Sequence, residues 1–144
     1  MRDIRRVVAN LVRKYGTRDP IVLARSKGIR VFELPLPDNI NGMYSNFLYY
    51  KAIILNESLD EWMKKIVAAH ELGHFLLHKE INHIFLKSNT YYNTSRLECH
   101  ADKFVAELLF PDELYSEYYD NDILHYTAVS EETITYFLDL KKGK

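Results

Sequence analysis

Residues 70–74 read His-Glu-Leu-Gly-His, an H-E-x-x-H motif inside a segment with a strong helical pattern. Four residues of α-helix make about 1.1 turns and a rise of roughly 6 Å, so His70 and His74 project side by side from one face. Two neutral imidazoles at this spacing can bind one metal ion between them. Glu71 adjoins the first ligand, where its carboxylate can act as general base on a water that zinc acidifies from a pKa of about 15.7 to about 7.

The helix that carries this motif is predicted over residues 58–78. Ser58, followed by Glu61 three residues later, has the pattern of a capping box at a helix start. Trp62 and Ile66 precede the two histidines at four-residue steps, so the histidines continue an apolar stripe that should face the interior. Buried imidazoles are costly unless something satisfies them, and the alternative to a metal is a pair of core histidines with ordinary hydrogen bonds.

A catalytic zinc ion needs a third protein ligand. His78 lies eight residues beyond His70, roughly 12 Å along the same helix, which is too far for both to bind one ion. Three other histidines are isolated candidates: His83, His100 and His125. Glu98 is the best candidate, because it stands in a second helix, predicted over residues 95–109, that carries its own apolar stripe.

Asp102 lies one helical turn after Glu98, on the same flank of this second helix. Glu98 would complete the coordination shell, while Asp102 would accept the free ring N–H of a zinc-bound histidine and fix its tautomer. His100 points about 200° away from Glu98, so the two cannot share an ion. The alternative is that Glu98 and Asp102 together form a solvated helix edge.

The two motifs resemble those of the ImmA/IrrE-type metallopeptidases, within the gluzincin group, which combine H-E-x-x-H with a downstream glutamate. The second motif is E-x-x-A-D-x-F-x-A-E-L-L-x-P, which begins at Glu98. Similarity elsewhere extends the resemblance over most of positions 17–140. The resemblance implies one zinc ion per chain, a catalytic base at Glu71, and three ligands: His70, His74 and Glu98.

The organisation along the chain is that of a small α+β domain, for which the resemblance implies a compact zincin-like fold. We expect a single metallopeptidase domain over residues 1–144, in which a three-stranded sheet packs on helices and the active-site helix is central. The expected parts are a helical segment 1–28, a sheet over 29–56, the zinc-binding helices 58–78 and 95–109, and a C-terminal helix 130–141.

Composition argues against nucleic-acid-binding and membrane proteins. With 144 residues, 47% of them hydrophobic, the chain can bury a core of its own. A net charge of −1 gives no broad attraction to nucleic acid, so no direct nucleic-acid binding is expected. The chain has no run of 18 apolar residues, and its single cysteine, Cys99, cannot form an internal disulfide. We therefore expect a cytoplasmic protein without membrane association.

The predicted activity is that of a zinc endopeptidase in which Glu71 takes a proton from the attacking water and delivers it to the leaving amine. The oxyanion needs a donor besides zinc, and the sequence leaves three candidates open: Tyr126, His125 and Tyr44. The strand at residues 41–47, if it lies at the sheet edge, could pair with an extended substrate through the main chain of three residues: Gly42, Met43 and Tyr44.

The resemblance also implies the substrate, a helix-turn-helix repressor whose cleavage derepresses a prophage or a mobile element. Two alternatives stay open. One is a non-proteolytic partner-binding module that keeps a zinc site, and the other is a general peptidase of small peptides. Glu71 argues against the binding module, because a structural zinc site needs no base. The sequence does not determine the oligomeric state.

Overall fold

The computed structural model describes residues 3–47, 50–78, 83–86, 96–111 and 131–142. The described elements, numbered here in chain order, are α1 (Ile4–Tyr15), α2 (Pro20–Ser26), β1 (Arg30–Leu34), β2 (Ile40–Phe47), β3 (Tyr50–Asn56), α3 (Glu61–Leu77), β4 (His83–Leu86), α4 (Arg96–Leu109) and α5 (Glu131–Lys141). This content confirms the predicted α+β class. Within the described ranges, no helix combines the length and the apolar character needed to cross a bilayer.

The four described strands form one sheet in the order β1-β3-β2-β4. β1 and β3 are parallel, whereas β2 is antiparallel to both of its neighbours. The three predicted strands all form, and β4 adds a fourth that the sequence pattern did not predict. Its four residues are too few to establish a period-two alternation.

β2 is an inner strand, so the expectation that it offers a free edge to a substrate is wrong. Gly42, Met43 and Tyr44 pair with β3 on one side and with β4 on the other. Met43, for example, lies between Ile54 and Ile84. Both edges of β2 are used within the sheet, and β4 is the outermost of the described strands on this side.

The N-cap of α3 is Asp60 and not Ser58. The Asp60 carboxylate accepts a hydrogen bond from the Met63 amide at 2.8 Å, so the helix begins at Glu61. Ser58 instead donates its hydroxyl to the Asn56 side chain, at 2.9 Å, in the turn after β3. The capping-box prediction is therefore wrong in its cap residue, because Asp60 stands where its carboxylate reaches the first turn of the helix.

α3 lies at the centre of the core, between the sheet and α4. Every residue over 66–74 is buried, including the polar ones. Ile53 and Leu55 of β3, on the inner face of the sheet, belong to the same hydrophobic cluster. Lys64, near the start of α3, is also buried, and its ammonium lies 2.6 Å from the carboxylate of Glu33 in β1. The packing on β3 and the ion pair with β1 therefore fix α3 on the sheet, and the ion pair lies N-terminal to the H-E-x-x-H motif.

Two cationic side chains bind carbonyl groups at the C-terminal end of α4. Arg18 donates to the Leu108 carbonyl at 2.9 Å, and Lys141 of α5 donates to the Phe110 carbonyl at 2.6 Å. Cations at this end of a helix also interact favourably with its dipole. Phe110 stacks on Phe137 of α5 with ring centroids 5.6 Å apart, so packing and a hydrogen bond together fix α5 on α4.

Gly42 lies where β2 passes directly against α3. A Cβ at this position would lie 2.6 Å from Cγ1 of Val67 and 2.9 Å from the carbonyl oxygen of Ile54. We expect Gly42→Ala to lower the free energy of unfolding by about 1–3 kcal/mol, because extra volume in a dense core forces neighbours to shift. Denaturant unfolding measures this, with Ser45→Ala in the same strand as control. Equal midpoints for the two variants would contradict the close approach of β2 and α3.

Candidate metal centre

His70 and His74 lie side by side on α3. Their ring centroids are 4.7 Å apart, and the distance between the two Nε2 atoms is 3.1 Å. Both side chains are buried, with 1% and 0% exposure. The structure therefore places the two predicted ligands at one buried point, with the same nitrogen of each ring turned towards it.

Glu98 reaches this point from α4. One of its carboxylate oxygens is 3.1 Å from Nε2 of His70, and the other is 2.7 Å from Nε2 of His74. Glu98 is 8% exposed and Asp102 is 2% exposed, so the alternative that the two form a solvated helix edge is wrong.

The close approach of α3 and α4 that brings Glu98 into place depends on a glycine within the motif. A Cβ at Gly73 would lie 3.1 Å from the Cβ of Phe104, tighter than ordinary contact. A larger residue at this position would press against α4 at the level of the two histidines. The glycine in His-Glu-Leu-Gly-His thus has a packing role that the metal-ligand spacing alone does not explain.

The three donor groups of His70, His74 and Glu98 fit a metal ion. Their ligand atoms all lie within 4.8 Å of one another. Zinc–nitrogen bonds of about 2.0–2.1 Å separate two tetrahedral ligands by about 3.3 Å. The two imidazole nitrogens, at 3.1 Å, are close to that separation. Two imidazoles and one carboxylate are also the protein ligands of catalytic zinc sites in which a fourth position stays open.

The electrostatics at this point favour a positive charge. Burial lowers the pKa of His70, but its hydrogen bonds with Asp102 and Glu98 outweigh burial and raise the pKa to about 10. Nδ1 of His70 lies 2.7 Å from Asp102, to which it donates. Nε2 must then carry a proton or bind a cation opposite the Glu98 carboxylate. A metal ion can bind all three groups, His70, His74 and Glu98, at once, whereas a single proton can be shared by only two of them.

Asp102 contacts His70 on the side of the ring away from Glu98, and its second oxygen is held from α5. The hydroxyl of Tyr136 donates to that oxygen at 2.5 Å. Burial and the charge of Asp102 raise the pKa of Tyr136, so the phenol stays protonated. Tyr136 is not among the site residues predicted from the sequence. The sequence shows only a tyrosine beside the apolar residues of the C-terminal helix. That pattern does not indicate which residue of α4 the tyrosine contacts.

Glu71 follows His70 in the chain, is fully buried and is not one of the three donors. Tyr44 of β2 lies in its neighbourhood: burial and then the charge of Glu71 raise the pKa of Tyr44 to about 12. Tyr44 is 1% exposed, and its hydroxyl has no hydrogen-bond partner within the described part of the chain. The other two oxyanion candidates, His125 and Tyr126, lie outside the described residues.

The alternative third ligands do not join the donor cluster in the described part of the chain. His100 stacks on His78, with ring centroids 5.5 Å apart, and neither belongs to the three-donor group. The side chain of His83 and the whole of His125 lie outside what the structure describes.

Comparison with known proteins gives the family. Residues 24–139 match the profile of the peptidase M78 family, described as the IrrE N-terminal-like domain. The chain therefore belongs to this peptidase family, and the predicted resemblance is confirmed. It is 36% identical over 115 residues to the uncharacterized immunity region protein 2 of Bacillus phage phi105, an alignment covering 80% of this chain and 73% of that protein. It is 26% identical over 118 residues to the metallopeptidase ImmA of Bacillus subtilis (strain 168), covering 81% and 68% respectively.

We expect the purified protein to hold about one divalent metal ion per chain, as a three-donor site does. Glu98→Ala removes the anionic donor, so most of the metal should be lost on dialysis. His100→Ala, two residues along the same helix, is the matched control and should keep its metal. Elemental analysis measures the content of both. If Glu98→Ala stays fully loaded while His100→Ala or His83→Ala is empty, Glu98 is not the third ligand.

Proposed function

We propose that this protein is a zinc-dependent endopeptidase that cleaves a helix-turn-helix repressor. The observation that carries the proposal is the buried carboxylate of Glu71 beside a three-donor cluster, in a chain of a peptidase family. A structural metal site has no use for a base at that position, whereas a hydrolytic site needs one. Two imidazoles and one carboxylate suit zinc better than the harder cations, which prefer oxygen ligands.

We assign separate roles to the residues of the cluster. His70, His74 and Glu98 would hold zinc, which when bound supplies Lewis acidity towards the scissile carbonyl and the attacking water. Glu71 accepts a proton from that water and returns it to the leaving amine. Its complete burial keeps bulk solvent out of this exchange. Asp102 keeps the ring of His70 in one tautomer, so that Nε2 is the nitrogen available for the ion.

We assign the oxyanion donor to Tyr44. Its buried hydroxyl has no partner within the described residues, and a pKa of about 12 keeps it protonated at neutral pH. The charge of Glu71 acts on this phenol, so the donor and the base share one part of the site. A neutral donor without a competing partner is available for the negative charge that develops on the substrate oxygen.

We assign substrate binding to β4, in place of β2. Among the described strands, β4 is outermost on its side of the sheet, and its Ile84 is 51% exposed. Within the register, Tyr44 pairs with His83, so this edge is one strand away from the proposed oxyanion donor. Main-chain groups of β4 that face away from β2 would pair with an extended peptide. A flexible segment of a folded protein can adopt that conformation, which supports a protein substrate.

The repressor as substrate is supported by the family resemblance and by the names of two relatives. One is an immunity region protein of a phage, and the other is the metallopeptidase ImmA. The first name agrees with a role in phage immunity, and the second agrees with metal-dependent peptidase activity. Cleavage would relieve repression of a prophage or a mobile element, and a DNA-bound substrate of this kind would place the enzyme in the cytoplasm.

Glu71→Gln preserves the size of the side chain and removes the base. We expect metal content and partner binding to be unchanged, while cleavage falls by about 10²- to 10⁴-fold, the usual contribution of a positioned base. Glu61→Gln, an exposed glutamate of the same helix, is the control. The assay is co-expression with the candidate repressor, following the intact repressor band and transcription from its promoter.

Two results would contradict the proposal. If Glu71→Gln derepresses as well as the parent protein, non-proteolytic binding is the mechanism. If the parent protein cleaves short unrelated peptides as fast as the repressor, the general-peptidase alternative is correct.

Tyr44→Phe removes the proposed oxyanion donor and keeps the ring packed against Phe75. We expect kcat to fall by about 10²- to 10³-fold, the usual cost of losing one such donor, with metal content unchanged. Tyr50→Phe, an exposed tyrosine of the neighbouring strand, is the control and should cleave at the parent rate. A parent-like rate for Tyr44→Phe would move the role to Tyr126 or His125.

A further inference from the structure

We propose that Tyr136 is a positioning residue of the metal centre, which acts through Asp102 on His70 and makes α5 part of the site. This inference rests on the metal binding in the proposed function and not on the identity of the substrate. Neither the H-E-x-x-H motif nor the downstream glutamate motif extends into α5. The geometry of three side chains from three different helices carries the proposal.

The three side chains form a continuous hydrogen-bonded chain. Nδ1 of His70, on α3, lies 2.7 Å from one oxygen of Asp102, on α4. The hydroxyl of Tyr136, on α5, donates to the other oxygen of Asp102 at 2.5 Å. Asp102 is 2% exposed, so both oxygens are held where water does not replace a lost partner.

A carboxylate held at both oxygens cannot rotate freely about its terminal bond. The orientation of Asp102 therefore fixes the plane and the tautomer of the His70 imidazole, which leaves Nε2 directed at His74 and Glu98. Without the Tyr136 hydroxyl, one oxygen of Asp102 would lose its partner in a buried place. The carboxylate could then turn and weaken its hold on His70. Tyr136 thus affects the ligand without touching it.

The ring and the hydroxyl of Tyr136 have separable roles. The ring lies edge-on to Phe137, with centroids 5.1 Å apart, in the contact between α5 and α4. The hydroxyl is the group that meets Asp102. Tyr136→Phe therefore keeps the packing and removes the hydrogen bond, which allows positioning to be separated from a purely structural role.

Because α5 is fixed on α4 through Phe137 and Lys141, the chain of contacts links helix docking to metal binding. Such coupling is reciprocal: if docked α5 strengthens zinc binding, then zinc must stabilise docked α5. The proposal consequently has two readouts that need no substrate. One is the affinity for zinc, and the other is the amide hydrogen exchange of α5.

The test compares four proteins: the parent, Tyr136→Phe, Asp102→Ala and the double variant. Zinc affinity is measured by competition with a chelator. We expect Asp102→Ala to weaken zinc binding by about 10- to 100-fold, and Tyr136→Phe to weaken it by about 10-fold, because losing an outer partner of a ligand costs this much. The double variant should match Asp102→Ala alone, since Tyr136 acts through Asp102.

Two control variants separate positioning from packing. Tyr50→Phe loses the hydroxyl of an exposed tyrosine and should bind zinc as the parent does. Phe137→Leu loses packing on α5 but keeps the Tyr136 hydroxyl, so it should lower the melting temperature of the metal-free protein and weaken zinc binding less than Tyr136→Phe does. In the parent, zinc should slow amide exchange across α5. In Tyr136→Phe, this slowing should be much smaller.

Three outcomes would overturn the proposal: parent-like zinc affinity in Tyr136→Phe, losses that multiply in the double variant, or a parent protein that binds no zinc. A loss of melting temperature without loss of affinity in Tyr136→Phe would likewise assign the residue to packing alone. None of these readouts requires cleavage. A parent protein that shows the predicted coupling but cuts no repressor would contradict the proposed function and leave the role of Tyr136 intact.

Discussion

Three electron-rich donor groups are held together out of water where α3 and α4 pack against each other. Two imidazole nitrogens and two carboxylate oxygens meet at separations of 2.7–3.1 Å, in residues that are 0–8% exposed. The lone pairs of such groups repel one another unless a proton or a metal cation lies between them. The core packing that brings α3 and α4 together therefore creates a position that favours positive charge, and the chemistry proposed for the protein follows from that position.

The helices and the sheet around this position each contribute a contact that holds the site together. Gly73 lets α4 come close enough for Glu98 to reach both histidines, and Phe104 fills the space opposite. α5 packs on the other side of α4 and places Tyr136 against Asp102. The sheet contributes Tyr44 from an inner strand, where the charge of the buried Glu71 carboxylate acts on its phenol. The site is thus assembled by tertiary packing, while local helical geometry places His70 and His74.

Features that depend on local helical geometry could be predicted from the sequence, and those that depend on tertiary packing could not. His70 and His74 obey a local rule, because residues four apart share a helix face, and Glu98 could be proposed from its own helical stripe and the family motif. Strand β4 was not predicted because its four residues show no clear period. The cap at Asp60 was not predicted because Ser58, Asp60 and Glu61 all lie at the helix start, where either Ser58 or Asp60 could be the N-cap. Tyr136 stands 34 residues beyond Asp102, and the docking of α5 leaves no pattern in either segment.

Anomalous X-ray diffraction at the zinc absorption edge, from crystals of the protein grown with zinc, tests the central claim most directly. We expect one anomalous peak, with Nε2 of His70, Nε2 of His74 and a carboxylate oxygen of Glu98 at about 2.0–2.2 Å from it. Glu71 should lie beside the ion without bonding to it. A peak ligated by another set of residues, or a structure in which Glu71 is itself a ligand, would contradict the account.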